Sequence, residues 1–234
     1  MNELSEALRL TRGLLLAMEP ALVEIVSLSL WVSLNATVLA ALAGLPLGAA
    51  AAVLRFPGRQ WLVALLNASM GLPPVVVGLA VYLLLSRAGP LGELGLLFTP
   101  EAMIIAQFLL ITPIIAALTR QTLADLDEKS REQLQVLNTS PSAMLLTLLW
   151  DGRFSLITAV LAGFGRAVAE VGAVLIVGGN ISGVTRVMTS AIAQETSKGN
   201  LAMALALGLI LVILAITINL LIMSVSHVAN RRYA

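Results

Sequence analysis

Apolar residues run along this chain in long unbroken blocks, not at the alternate spacing of half-buried strands. A helix across a hydrocarbon layer needs about 20 mainly apolar residues. Five blocks meet that need, at roughly 26–54, 62–85, 102–123, 154–178 and 201–225. The first is longer than a bilayer requires, so it tilts or extends beyond the hydrocarbon. Ahead of it, residues 4–18 place apolar positions at helical spacing with Arg9 and Arg12 among them. That pattern predicts an interfacial helix lying on the outer surface; the rival is a sixth, poor span. The expected fold is therefore all-α and polytopic, with five transmembrane helices, or six on the rival reading.

Between the third and fourth blocks, at about 120–153, lies the one sizeable polar stretch. Within it, residues 129–137 read as a short helix that Asn138 ends. Ser140 caps a second helix with Pro141 in its first turn. Two short helices at about a right angle form a docking shape. Leu134, Leu137, Met144 and Leu148 are apolar enough to need a partner surface.

Composition agrees with the pattern. Of 234 residues, 59% are hydrophobic and 12% charged, against about 45–50% and 25% in a soluble domain. Net charge is +1, with no basic stripe and no motif for nucleic acid. Cysteine is absent, which excludes disulfides and thiolate metal sites. The start "MNELSEALRLTRG" does not read as a signal peptide, because acids lie among its first residues. Lys and Arg set the orientation. Arg55, Arg59, Arg120, Lys129, Arg131, Arg153, Arg231 and Arg232 share one side of a five-span chain, against Arg9, Arg12, Arg87, Arg186 and Lys198 on the other. The richer side should be cytoplasmic, with the N-terminus outside and the C-terminus inside.

Enzyme chemistry finds little support. The single histidine, His227, sits in the tail, and no His/Asp/Glu cluster has metal-ligand spacing. No catalytic or metal-binding residue is expected. No G-x-x-x-x-G-K-[ST] loop is present, so the chain cannot hydrolyse ATP in the P-loop manner by itself. No internal repeat is visible, which weakens a transporter built of inverted halves. Five spans make a thin wall for a pathway, which points to a dimer.

Helix breakers and charges mark the candidate site. Gly44, Pro46 and Gly48 interrupt the first block; Gly71, Pro73, Pro74 and Gly78 the second; Pro113 the third. Each helix proline frees a carbonyl that needs a partner or a wet cavity. Close packing of small residues is the competing account. In "GFGRAVAEVGAVLIVGGN", Arg166 and Glu170 stand four residues apart near the middle of the fourth block, on one helix face. Ionisable groups at that depth face a bundle interior or a water-filled cavity. A pathway contact and a structural lock between helices or subunits both fit them. Asn35, Asn67 and Gln107 read as interhelical hydrogen-bonding residues.

These pieces, in order, resemble the type I ABC importer permeases, molybdate/tungstate branch. The likeness runs from about residue 27 to 225. "SLWVSLNATVLAALAGLPLGAAAA" looks like the branch's first core helix, and "RFPGR" like the basic turn after it. "GLPPVVVGLAVYLLLSRAGPLG" resembles its Pro-Pro helix and outer turn. "GRAVAEVGAVLIVGGNI" is similar to its Arg-x-x-x-Glu-x-Gly-Ala helix, and "TRVMTSAIAQETSKGN" looks most like the tungstate members. The family's loop signature falls on Glu132, Gln133, Leu134, Asn138, Leu148, Trp150 and Asp151, of which only Glu132 matches strictly. Asn in place of Gly is tolerable at a helix end; loss of the Leu-Pro is a departure.

The resemblance implies a homodimeric permease with two separate ATPase subunits, which bind ATP and Mg, so the chain needs no cofactor of its own. It further implies an extracytoplasmic binding protein that delivers a tetrahedral oxyanion, tungstate ahead of molybdate or sulfate, for import by alternating access. On this reading residues 1–25 are the interfacial helix, 26–225 the type-1 transmembrane domain and 226–234 a cytoplasmic tail, in a prokaryotic inner membrane. The loop at 124–153 couples to the ATPase through Glu132, Gln133, Leu134, Leu137, Asn138, Thr139, Ser140 and Pro141. Pathway or gate candidates are Pro73, Pro74, Gly78, Arg166, Glu170, Gly172 and Asn180. A membrane scaffold, or a gradient-driven transporter without an ATPase, are the alternatives.

Overall fold

The computed structural model of the chain describes residues 3–54, 56–136 and 141–233, with side chains considered for 8–54, 56–128 and 144–226. Ten α-helices carry the described chain: α1 Glu3–Ala17, α2 Pro20–Val53, α3 Arg59–Ser69, α4 Pro74–Leu85, α5 Pro100–Val136, α6 Pro141–Asp151, α7 Arg153–Val168, α8 Gly172–Gly178, α9 Met188–Ser197 and α10 Leu201–Tyr233. Three stretches, Pro20–Val53, Pro100–Glu128 and Leu201–Ser226, are long and apolar enough to cross a membrane alone. Two bent pairs, α3 with α4 and Met144–Asp151 with α7, complete five spans if each pair counts as one. At 15 residues and 1.5 Å per residue, α1 is about 22 Å long, short of a span.

Three local expectations need correction. The second apolar block is two helices, not one. Pro73 is extended at φ −63°, ψ 123°, and Pro74 opens α4, a position where the missing N–H has no intrahelical partner to lose. Proline therefore starts a helix here, whereas Pro46 and Pro113 do lie inside α2 and α5. The fourth block also breaks: α7 ends at Val168 and α8 begins at Gly172. Finally, the short helix expected at 129–137 is no separate element, because α5 runs unbroken to Val136. Its expected end at Asn138 and the Ser140 cap lie outside the described residues, while α6 begins at Pro141 as the sequence suggests.

The helices form two compact units. One holds the described residues up to Ala36, Pro73–Gln107 and Arg166–Thr217; the other holds Thr37–Leu72, Phe108–Gly165 and the chain from Ile218. In the second unit, α2 and α5 meet through small residues. A Cβ on Gly48 would stand 2.3 Å from the Ala116 carbonyl oxygen, and one on Gly44 3.0 Å from that of Thr112. Backbones come this close only where a side chain is missing. Ala49 and Ala52 of α2, Leu123 of α5 and Leu148 of α6 form one buried cluster, with Met144 against it. Met144 and Leu148 thus find their partner surface within this chain. The large apolar residues that α6 leaves exposed, among those whose side chains are described, are Leu146 and Trp150.

Arg59, read from the sequence as a topology charge, also holds a helix end. Its guanidinium donates to the carbonyls of Ala51 at 2.7 Å and Ala52 at 2.9 Å, in the last turn of α2. Those carbonyls have no partner within the helix, and a cation there suits the helix dipole. Arg59→Met removes two charge-assisted bonds, each contributing about 1.5–3 kcal/mol. The expected result is a thermal midpoint in detergent several degrees lower, with Arg59→Lys in between. An unchanged midpoint for Arg59→Met would contradict this capping role.

In the first unit, α1 is docked at one point at least: Thr11 is buried and its Oγ1 donates to the Ala202 carbonyl at 3.0 Å. The start of α10 thereby holds α1.

Candidate functional site

The sequence places two charges inside a long apolar block, and the structure shows what they do to the backbone. α7 stops at Val168, and Glu170 belongs to neither α7 nor α8. The pair therefore does not lie along one helix face. Arg166 sits in the last turn of α7, where positive charge is favoured, and Glu170 folds back across the helix end. One carboxylate oxygen accepts from Arg166 Nη1 at 2.6 Å, and the other accepts from the Ala173 N–H at 3.1 Å.

A helix broken at membrane depth exposes carbonyls that no water meets, at several kcal/mol each. Here two of them, those of Ala167 and Glu170, have donors. The Ala167 carbonyl receives the Gln107 side-chain amide at 3.0 Å and the Glu170 N–H at 3.1 Å. The Glu170 carbonyl receives the Thr189 hydroxyl at 2.8 Å. Gln107 fulfils its expected interhelical role. Asn35 does not, since its amide donates to the Trp31 carbonyl of its own helix. Thr189 was missed altogether, because nothing distinguishes it in sequence from the neighbouring small polar residues. The two charges end unequal: the Glu170 side chain is 3% exposed, the Arg166 side chain 38%. The carboxylate is consumed by the break, while the Arg166 side chain stays partly open.

The other five pathway candidates fall in the same unit. Pro73 and Pro74 begin α4. A Cβ on Gly78 would lie 2.7 Å from the Ala173 Cα, and one on Gly172 2.8 Å from Val75 Cγ2. α4 and α8 therefore touch through two glycines, which is the close-packing account of those residues. Asn180 follows Gly179 in a left-handed turn, at φ 53°, a conformation that asparagine tolerates. Its amide donates to Gln194 Oε1 at 3.1 Å, and its oxygen accepts from Ser190 Oγ at 2.9 Å, tying the turn to α9. Of the loop candidates, Glu132, Gln133 and Leu134 lie in the last turns of α5 and Pro141 opens α6. Leu137, Asn138, Thr139 and Ser140 lie outside the described residues.

Beyond the candidate spans, Glu195 near the end of α9 accepts from Lys198 at 2.8 Å and Asn200 at 2.8 Å. Lys198 foremost, then Asn200, hold its carboxyl below the ordinary 4.5, against the opposing effect of burial. A lowered folded-state value contributes stability that is complete above the unfolded value and is lost as pH falls through the folded one. The wild-type thermal midpoint should therefore fall more steeply below about pH 4.5 than that of Glu195→Gln. Parallel curves for the two proteins would contradict the assignment.

Residues 44–234 match the family described as the inner membrane component of binding-protein-dependent transport systems. The chain belongs to this family. A tungstate uptake system permease protein, TupB, of Peptoclostridium acidaminophilum is 39% identical over 225 residues, covering 96% of this chain and 99% of that protein. A probable anion ABC transporter permease of Haloferax volcanii is 40% identical over 185 residues, 77% of this chain and 80% of its own length. Among solved structures, the MetNI methionine ABC transporter in inward-facing conformations aligns with a TM-score of 0.73. At 17% identity over 92% of this chain and 97% of that one, it shows the fold alone. This permease is thus a multi-pass transport subunit with the type I importer fold, helical through its described spans, as the sequence resemblance implied.

Proposed function

We propose that this permease is the membrane subunit through which an ABC importer moves a tetrahedral oxyanion, tungstate first, into a prokaryotic cell. The observation that carries the substrate is the likeness to a tungstate uptake permease over 96% of the chain. The Haloferax anion permease agrees with it in substrate class. Chemistry supports the class as well. An oxyanion needs positive charge or oriented donors on its way, and Arg166 offers a partly exposed cationic side chain. Glu170 beside it tempers that charge, so the anion leaves as well as enters. Molybdate and sulfate share the tetrahedral dianion shape and are the competitors to test.

The chain carries no phosphate loop, so ATP and Mg belong to a separate ATPase chain. In this reading two copies of the permease join two ATPases and receive the anion from an extracytoplasmic binding protein. The N-terminus lies outside and the C-terminal tail, 226–234, in the cytoplasm. Residues 26–225 make the type-1 transmembrane domain behind the interfacial helix at 1–25. The loop at 124–153, with Glu132, Gln133, Leu134, Leu137, Asn138, Thr139, Ser140 and Pro141, meets the ATPase. ATP binding draws the ATPases together and moves the spans between outward and inward access, with Pro73, Pro74, Gly78, Arg166, Glu170, Gly172 and Asn180 about the pathway.

Gentle purification from native membranes, followed by mass spectrometry and sizing, tests the assembly. A P-loop ATPase recovered at two per two permeases is the expected result, with ATP-dependent tungstate uptake in vesicles as the next measurement. A stable complex free of any ATPase, under conditions that preserve a known importer, would overturn the proposal in favour of a scaffold. Uptake that follows an ion gradient without ATP would do so in favour of a secondary transporter.

A further inference from the structure

A cleft of about 400 Å³ lies in the first unit and is lined by Glu24, Ser27, Leu28, Trp31, Gly183 and Val184, not by Arg166 or Glu170. The first four are spaced i, i+3, i+4 and i+7, so α2 presents them as one face. The opposite wall is the turn between α8 and α9. Gly183 takes φ 76°, and a Cβ on it would come 3.6 Å from Glu24 Oε1. The turn therefore approaches the carboxylate closely without covering it.

Glu24 is the only charged residue of the lining, and it belongs to neither ion pair found among the described residues, Arg166–Glu170 and Lys198–Glu195. The Ser27 hydroxyl donates to the Glu24 main-chain carbonyl at 2.9 Å, so it does not neutralise the side chain. Glu24 lies one turn into α2, a candidate span, where an unpaired carboxylate is costly unless a cation meets it. Seven residues further along, or about 10 Å at 1.5 Å per residue, Trp31 is 48% exposed, and Val184 across from it 45%. The cleft thus changes from acidic to apolar along the direction in which α2 enters the bilayer.

We propose that the cleft holds one aminophospholipid molecule, its ammonium on Glu24 and its glycerol and upper acyl region against Leu28, Trp31 and Val184. The lipid's order, ammonium first and hydrocarbon last with phosphate and glycerol between, runs in the same sense as the cleft's, acidic then apolar. A basic side chain of a protein partner meets the Glu24 end alone and leaves the tryptophan uncovered. A headgroup that has the phosphate but no ammonium is repelled by Glu24.

The chain has three tryptophans, Trp31, Trp61 and Trp150, and the last two are 82% and 68% exposed. Trp61→Phe with Trp150→Phe therefore leaves Trp31 as the single indole without opening the interior. The full-length double variant is reconstituted in nanodiscs of mixed phosphatidylethanolamine and phosphatidylglycerol, with one lipid at a time replaced in part by its brominated form. Quenching of Trp31 should be at least about twofold stronger from brominated phosphatidylethanolamine at equal mole fraction. Glu24→Gln should abolish that preference and Glu24→Lys should reverse it. Equal quenching by both headgroups marks an ordinary lipid annulus and overturns the proposal. Absence of quenching by either lipid, meaning that protein covers Trp31, overturns it too, as does a preference that survives Glu24→Gln.

Discussion

Arg166→Gln should lower ATP-dependent tungstate uptake at least about tenfold while the subunit still assembles. Glutamine keeps a polar head, shorter than the guanidinium that bonds Glu170, and loses the charge. A charged hydrogen bond contributes about 1.5–3 kcal/mol, and about 1.4 kcal/mol is a factor of ten, so an anion losing that contact should pass at a tenth of the rate or less. Arg166→Lys should retain much of the uptake. The decisive variant is Arg166→Gln with Glu170→Gln, which removes both charges. If the pair only locks the broken helix, the double variant recovers what Arg166→Gln loses, because no carboxylate is left buried and unpaired. If Arg166 meets the anion, the double variant stays as inactive as the single one. Full uptake by a normally assembled Arg166→Gln would end the pathway role.

Gly78→Val should largely abolish recovery of folded permease. The new Cβ would stand 2.7 Å from the Ala173 Cα and 3.1 Å from its carbonyl oxygen. Both are backbone atoms, so no rotamer change relieves the clash and α4 must leave α8. Overpacking of this kind costs about 1–3 kcal/mol or more. It also strains the start of α8, where Glu170 is bonded to the Ala173 N–H. Gly208→Ala is the control: nothing lies within 4 Å of its Cβ position, and alanine favours the helix by about 1 kcal/mol. Fluorescence-detected size-exclusion chromatography with thermal challenge reads both. A Gly78→Val protein that elutes and melts like the wild type would show that α4 and α8 are not in this contact.

The two variants divide the candidate site by how each part became visible. Arg166 and Glu170 stand out in sequence, because charge inside an apolar block is rare for a physical reason that needs no coordinates. Gly78 and Gly172 stand out only weakly, since glycine is common in spans. Their close approach depends on which helix lies opposite. Gln107 shows as a polar residue in an apolar block, but its acceptor lies 60 positions away. Thr189 has no such signal, and its bond to the Glu170 carbonyl exists only because the helix breaks there.

Hydropathy alone determined that the chain is all-helical and crosses a membrane, because the length of an apolar run and the thickness of a bilayer are both local quantities. Its motifs determined the family as well, since they sit in order along nearly the whole chain. Tertiary structure decided where the helices stop. A continuous apolar run reads as one span, yet the fourth block ends its helix at Val168 and restarts at Gly172. That interruption is tolerable only because Gln107, Thr189 and the Glu170 side chain supply the bonds an unbroken helix would have made for itself. Gln107 and Thr189 come from elsewhere in the chain, and no local pattern of residues says which carbonyl each one reaches.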